Sequence, residues 1–247
     1  QSGNNNDWTS NALTESDISL DSPSNNFCVI NPLDVQVANK LKEGNLWAMS
    51  GLNRSRGTMA VSSGKWYYEV WMKYQHHGSN GFGIREVGGN AIIANDTNAN
   101  YATMGHPTGS GVQYNLSVNG SQSTGGERGT VDDKDIIGVM FDVDAQTISW
   151  RVNNSEIHSS LTNLDYSACS NMETVAPFII VGGGRDAIVN FGQDSSFAGF
   201  RDSQGNQDSN DIGDFYYEPP NGYLALCTSN LPDVAVVPSE NFNTVLY

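Results

Sequence analysis

The sequence is short of positive charge: 12 Lys and Arg stand against 27 Asp and Glu, a formal net charge of −15. A field of that sign repels phosphate backbones, which argues against nucleic acid as a partner, and it discourages direct adhesion to anionic membranes. Cysteine is scarce too. Cys28, Cys169 and Cys227 are widely separated, odd in number, and none sits in a CxxC, which excludes a zinc ribbon. One disulfide with a leftover thiol and three ordinary buried thiols both remain open, and the second is the expectation, since free cysteine is so often buried. No apolar run is long enough for a membrane-spanning helix. The N-terminus, QSGNNNDWTS, has neither the basic nor the apolar region of a signal peptide. It also lacks Met, so a segment of a longer chain is expected. No stretch has convincing helical periodicity, and there is no internal repeat.

Signatures of catalysis and metal binding are missing as well. The four histidines, His76, His77, His106 and His158, fall in no HExxH or other metal spacing. No serine lies in a GxSxG, and Gly182–Gly184 lacks the lysine of a phosphate loop. Asp132-Asp133 and Asp142/Asp144 are oxygen-rich but do not follow the EF-hand pattern, so solvated turn acids are expected rather than calcium ligands. Neither metal nor cofactor is expected. Asn-x-Ser/Thr sequons at Asn53, Asn95, Asn115, Asn119 and Asn153 are what chance supplies in so Asn- and Ser-rich a chain.

What is present is alternation. From Lys65 to Lys73, Trp66, Tyr68, Val70 and Met72 share one face while Tyr67, Glu69, Trp71 and Lys73 share the other. Aromatics on both faces mean that neither is simply wet, which predicts a central strand in a two-sheet sandwich. Thr58–Val61 reads as the strand entering the Ser62-Ser63-Gly64 turn before it. A second unit runs from Lys134 to Asn154. There Ile137, Val139 and Phe141 alternate, a turn follows at Asp142–Gln146, and Ile148, Trp150 and Val152 carry the inward face back as a hairpin.

Further strands are predicted at Phe27–Ile30, stopped by Asn31-Pro32, and at Asn45–Met49, Asn80–Arg85, Val112–Leu116, Ala176–Val181 and Ala187–Gln193. Val87–Gly111 reads as a long loop with one short strand, and Asn119–Gly129 as a Gly/Ser-rich excursion. The chain divides into an arm or connector over 1–26, a sandwich over 27–198, a polar and mobile insertion over 199–214, and an extended segment over 215–247 leading into further sequence. Trp47, Trp66, Trp71 and Trp150 are expected in the core.

Three blocks, SGKWYYEV, KDIIGVMFDVDAQTISWRVNN and APFIIVGGGRDAIVNFGQ, resemble the SPRY domain in content, order and spacing over residues 57–193. The resemblance implies an all-β, concanavalin-like two-sheet antiparallel sandwich serving as a binding module. The flanks DSPSNNFCVINPLD and NGYLALCTSNLPD…FNTVLY are further similar to SPRY-type modules in bacteriophage tail-fibre and virion proteins. That likeness implies a virion-surface protein made in the host cytoplasm. Its partners would be other virion proteins or a host glycan or protein, with neither nucleic acid nor membrane insertion. Its assembly would be a homo-oligomer, a trimer being the form that a fibre implies.

The family resemblance also implies a partner surface of loops at one end of the sandwich. The candidates are Tyr74, His76 and His77 in the 74–80 loop, Tyr101 and His106 in the 90–111 loop, and Arg185 and Asp186 in the 184–186 turn. Tyr101 could stack on a sugar, anchor a protein contact, or merely cover the sandwich edge. Two other readings stand beside this one. The first is a peptide-binding module of the eukaryotic type. The second is a glycan hydrolase, for which the central strand offers only Glu69, where two converging carboxylates are needed.

Overall fold

A computed structural model describes residues 20–22, 24–74, 80–87, 100–106, 113–118, 121–125, 129–169 and 171–232. Alternating apolar residues fold these into two sheets, and no α-helix occurs among the described residues. The first sheet runs, in spatial order, β1 (Ile30–Val35), β4 (Asn53–Gly57), β14 (Val175–Val181), β6 (Asn80–Glu86), β7 (Tyr101–His106), β8 (Gln113–Val118) and β9 (Ser121–Thr124). The second runs β12 (Ser155–Glu156), β11 (Thr147–Val152), β10 (Ile136–Asp142), β5 (Lys65–Tyr74), β15 (Asp186–Asn190), β3 (Trp47–Ala48) and β2 (Leu41–Lys42). Two short strands lie off this path: β13 (Leu164–Asp165) beside β11, and β16 (Leu224–Ala225), the one parallel partner among the described residues, beside the start of central β5. The fold is the expected β-sandwich.

The period of two fixes which side chains meet. Trp66, Tyr68, Val70 and Met72 of β5 face inward with Ile137, Val139 and Phe141 of β10 and Ile148, Trp150 and Val152 of β11. They pack on Phe82, Ile84, Ala102, Met104, Ile179 and Val181 of the opposite sheet. The predicted hairpin forms in register, with Val139 opposite Trp150 and Phe141 opposite Ile148. Two buried polar tips cross the core: Tyr68 Oη donates to the Gly83 carbonyl (2.7 Å) and Trp150 Nε1 to that of Phe82 (2.9 Å). Such groups need a partner once they leave water, and these bonds also tie the two sheets together. Gly83 is required for a related reason: a Cβ there would come 2.0 Å from the Ala102 carbonyl.

Several sequence expectations are corrected. Asn31-Pro32 does not stop the first strand but lies within β1, because β1 is an edge strand paired only with β4, where a missing N–H costs no ladder bond. The strand before Ser62 is β4, ending at Gly57. Thr58–Ala60 are irregular and Val61 makes a single bridge to Val175, so the turn carries the chain from one sheet to the other. Tyr101 and His106 stand at the two ends of β7 rather than in a loop. The 119–129 excursion contains β9. Cys28, Cys169 and Cys227 are all free and buried, and burial pushes the Cys28 thiol up to about 11.

The expected mobile insertion is instead part of a strap, residues 194–223, laid across the outer face of the second sheet. Phe197 is fully buried in a cluster with Trp71, Ile136 and Ile188. Phe215 joins Tyr67, Met140, Ala225 and Cys227 in a second cluster, edge-on to the Tyr67 ring at 5.2 Å. The polar residues between these anchors fold the strap by capping its own amides. Asp194 accepts from the Ser196 and Ala198 amides, and Asp214 from the Gly205 amide and the Ser195 and Ser203 hydroxyls. Asp208 accepts from the amides of Asn210, Ile212 and Ala225 and from Asn230 Nδ2. Composition alone reads such a stretch as solvated; the donors facing each carboxylate make it ordered.

The two flanks meet. Phe27 bridges Cys227, the Cys28 amide donates to the Leu226 carbonyl (2.8 Å), and the Thr228 amide donates to that of Asn26 (2.9 Å). Gln193 Nε2 closes on the Cys28 carbonyl at 2.8 Å. The pair lies beside the beginning of β5, where Leu224 is opposite Trp66.

Candidate functional site

The pairings sort the sandwich into two ends. At the near end are the joined flanks, the start of β5, and the Arg85–Tyr101 pair of β6 and β7. At the far end Asp186 pairs with Tyr74, Asn80 with His106, and Val181 with both Asn80 and Asn53. Ten residues of β5 separate the two ends, about 30 Å at a strand's rise per residue.

The far end gathers most of the candidates named from the sequence. Tyr74, His106, Arg185 and Asp186 all belong to it. His76 and His77 lie outside the described residues. Tyr101 does not belong: at the opposite end of six-residue β7, it is roughly 17 Å from His106 and packs on Phe178 (ring centroids 5.5 Å). It lies on the outer face of the first sheet beside the Arg85–Phe178 pair, in which the guanidinium is 5.3 Å from the ring.

Two of the far-end candidates are structural rather than displayed. Arg185 is 1% exposed, and desolvation lowers its pKa. Asp186 uses one carboxylate oxygen to accept from Trp47 Nε1 (3.1 Å) and the other to accept from the Ser50 amide (2.9 Å). Ser50 Oγ in turn accepts from the Gly184 amide (2.7 Å), and the Gly51 amide donates to the Gly182 carbonyl (3.2 Å). The glycine turn is therefore pinned against the 47–51 segment, with Gly183 exposed and open space where its Cβ would be. A rigid sandwich thus holds a small, fixed turn out toward solvent, the arrangement in which binding residues are usually found.

The remaining chemistry-bearing group is Glu69, on the outer face of β5. It is fully buried beneath the strap, and its two oxygens accept from Tyr67 Oη (3.0 Å), the Tyr217 amide (2.8 Å), the Tyr216 amide (2.8 Å) and Asn190 Nδ2 (3.2 Å). Burial pushes its carboxyl up to about 7 while the four bonds pull it down. A raised carboxyl pKa is a common mark of a general acid. Here the group has no path to a substrate, since the strap backbone occupies the space before it. Glu69 is a latch for the strap, bonded to its backbone at Tyr216 and Tyr217. Among the described residues no cluster of His, Cys, Asp or Glu is arranged to hold a metal ion.

Sequence reasoning missed three residues near the far end. Trp47, assigned to the core, is only half-buried; Lys73 lies over its ring; and Phe200, in the stretch taken as mobile, completes the group. The available signal was the aromatic pair Phe197/Phe200 opening an otherwise polar segment.

A family model described as the SPRY domain matches residues 65–194. The crystal structure of the SPRY domain of human HERC1 is similar at 15% identity and a TM-score of 0.45, over 65% of this chain and 96% of that one. The TRIM65 PSpry domain is similar at 10% identity and a TM-score of 0.46, over 66% of this chain and 92% of that one. No curated protein matches the chain.

Proposed function

Because the chain belongs to the SPRY domain family, whose members are typically protein-interaction modules, we propose that it is a non-enzymatic binding module of a bacteriophage virion. In this reading it sits in a tail fibre or capsid appendage and offers its far end to a host-surface molecule or a neighbouring virion protein. The observation that carries the reading is the separation of attachment from display. The two flanks pair with each other at the near end, and the pinned glycine turn lies about 30 Å away. A domain held at one end leaves the other free to reach a partner. The flanks that pair are the same segments whose sequence resembles phage virion modules.

Gly183→Trp provides the test, since the position is exposed and a Cβ there meets nothing within 4 Å. Antibody raised against the purified chain should label intact virions. Purified chain should bind host cells or virion proteins, and the Gly183→Trp variant should lose that binding while keeping its thermal stability. Absence of label on virions would overturn the virion role. Undiminished binding by the variant would overturn the far end as the contact surface.

A further inference from the structure

Where the far end meets the outer face of the second sheet, the strap sets an aromatic ring among cations. Phe200 stacks on Trp71 (ring centroids 5.4 Å, planes 24° apart) and stands edge-on to Trp47 (5.4 Å, 89°). Lys73 Nζ lies 3.8 Å from the Trp47 ring and 4.0 Å from that of Phe200. Lys42, exposed on edge strand β2, has its Nζ 5.7 Å from the Trp47 ring. Asp186 accepts from Trp47 and Ser50 and also attracts Lys73, so a single carboxylate stands against the two lysines and Lys42 is the exposed one.

Phe200 and the fully buried Phe197 (6.2 Å from the Trp71 ring) together cover Trp71, which is buried, but only one face of Phe200 is used in doing so. Phe200 remains 43% exposed, held in place by two tryptophans and a lysine. A partly exposed aromatic held between tryptophans, with a lysine against its ring, has the make-up of a binding hot spot, in which little side-chain entropy is left to lose. The local chemistry also selects. In a chain of net charge −15, two lysines brought together on aromatic faces present the opposite sign to that of most of the surface, and opposite potentials steer encounter.

We propose that Trp47, Phe200, Lys73 and Lys42 form a docking patch for an acidic polypeptide segment, one that sets an apolar side chain against Phe200 and a carboxylate toward Lys42. This deepens the binding-module reading and rests on it, adding a face contiguous with the pinned glycine turn through the Trp47–Asp186 bond. A polypeptide is favoured over a saccharide because the two needs, one apolar and one anionic, are met by side chains two residues apart on one face of an extended segment.

The test is fluorescence polarisation of the full chain with labelled peptides that place Glu and Leu, Lys and Leu, or Ser and Leu two residues apart, with serine between them, so that each pair shares one face when extended. The Glu–Leu peptide should bind, with affinity falling as salt is raised, and the other two should not. Phe200→Ala should weaken binding by about tenfold, as loss of a central aromatic anchor does. Lys42→Glu, at an exposed position outside the core, should weaken it by at least about threefold and flatten the salt dependence. Equal binding of the Lys–Leu peptide, or unchanged affinity in both variants, would overturn the patch. So would saturable binding of a sialylated or neutral oligosaccharide that Phe200→Ala abolishes while the Glu–Leu peptide fails. Self-association lost in Phe200→Ala, without peptide binding, would reassign the face to a second copy of the chain. If the patch fails while Gly183→Trp still blocks binding to virions or cells, the inference falls and the module reading stands.

Discussion

Glu69→Gln is the substitution that most directly probes how the strap is held. A carboxyl whose pKa is near 7 when folded and near its ordinary value of about 4.5 when unfolded binds its proton more tightly in the folded state. Its stabilising contribution is therefore complete below the unfolded pKa and is lost as pH rises through 7. A gap of between two and three pH units corresponds to roughly 3 kcal/mol. Glutamine keeps the shape and one accepting oxygen but cannot ionise, so this pH-dependent loss disappears. Its NH2 group then faces donors. Tyr67 can turn its hydroxyl to accept, but one strap amide, that of Tyr217, is left without an acceptor, at about 1–3 kcal/mol.

The expected result is a variant less stable than the parent at pH 5 and close to it at pH 8. Urea unfolding at a series of pH values, followed by tryptophan fluorescence, measures this, since Trp71 lies beneath the strap. The informative quantity is the difference between the two pH profiles, because it cancels the titration of the other carboxylates. Parallel profiles would refute the reasoning and mean that the four donors hold Glu69 ionised in both states.

Asp208→Ala should cost more than about 2 kcal/mol, since four donors around a buried carboxylate lose their acceptor; amide exchange should speed up at Ile212 and Ala225 and not in β10. Trp150→Phe removes the bond to Phe82 across the core and leaves a void, with an expected loss of about 2–4 kcal/mol in denaturant unfolding. Gly83→Ala should destabilise by several kcal/mol, roughly the 1–3 kcal/mol of overpacking or more, because the Ala102 carbonyl is backbone and cannot step aside. The native chain should not react with a thiol reagent at pH 8 until denaturant is added, as all three cysteines are buried and the Cys28 and Cys169 thiols are each pushed up to about 11.

The parts legible in sequence were those whose signal is local and periodic. The alternation in β5 gave both faces, and the 136–152 hairpin gave its own register, because side chains two apart must share a face. The doubly aromatic β5 even announced that something covers its outer side. What covers it was hidden, because the strap's order comes from Asp194, Asp208 and Asp214 each meeting particular amides, and composition does not show which donors face which carboxylate. Asn31-Pro32 misled for a similar reason: proline stops a central strand, and only the sheet order reveals that β1 is an edge. Among the candidate residues, loop composition picked out four that stand together at the far end but could not tell the exposed Gly183 from the buried Arg185. It also could not tell that Tyr101 and His106 share one strand and stand at its opposite ends.

The paired flanks have a mechanical consequence. Tension applied through residues 26 and 228 enters at the isolated antiparallel Phe27–Cys227 bridge, so it peels the flank bonds apart one at a time before it reaches β1 or β16. The flank junction is then the fuse of the module: under such a pull it parts ahead of the sheets, whose many ladder bonds are not loaded one at a time.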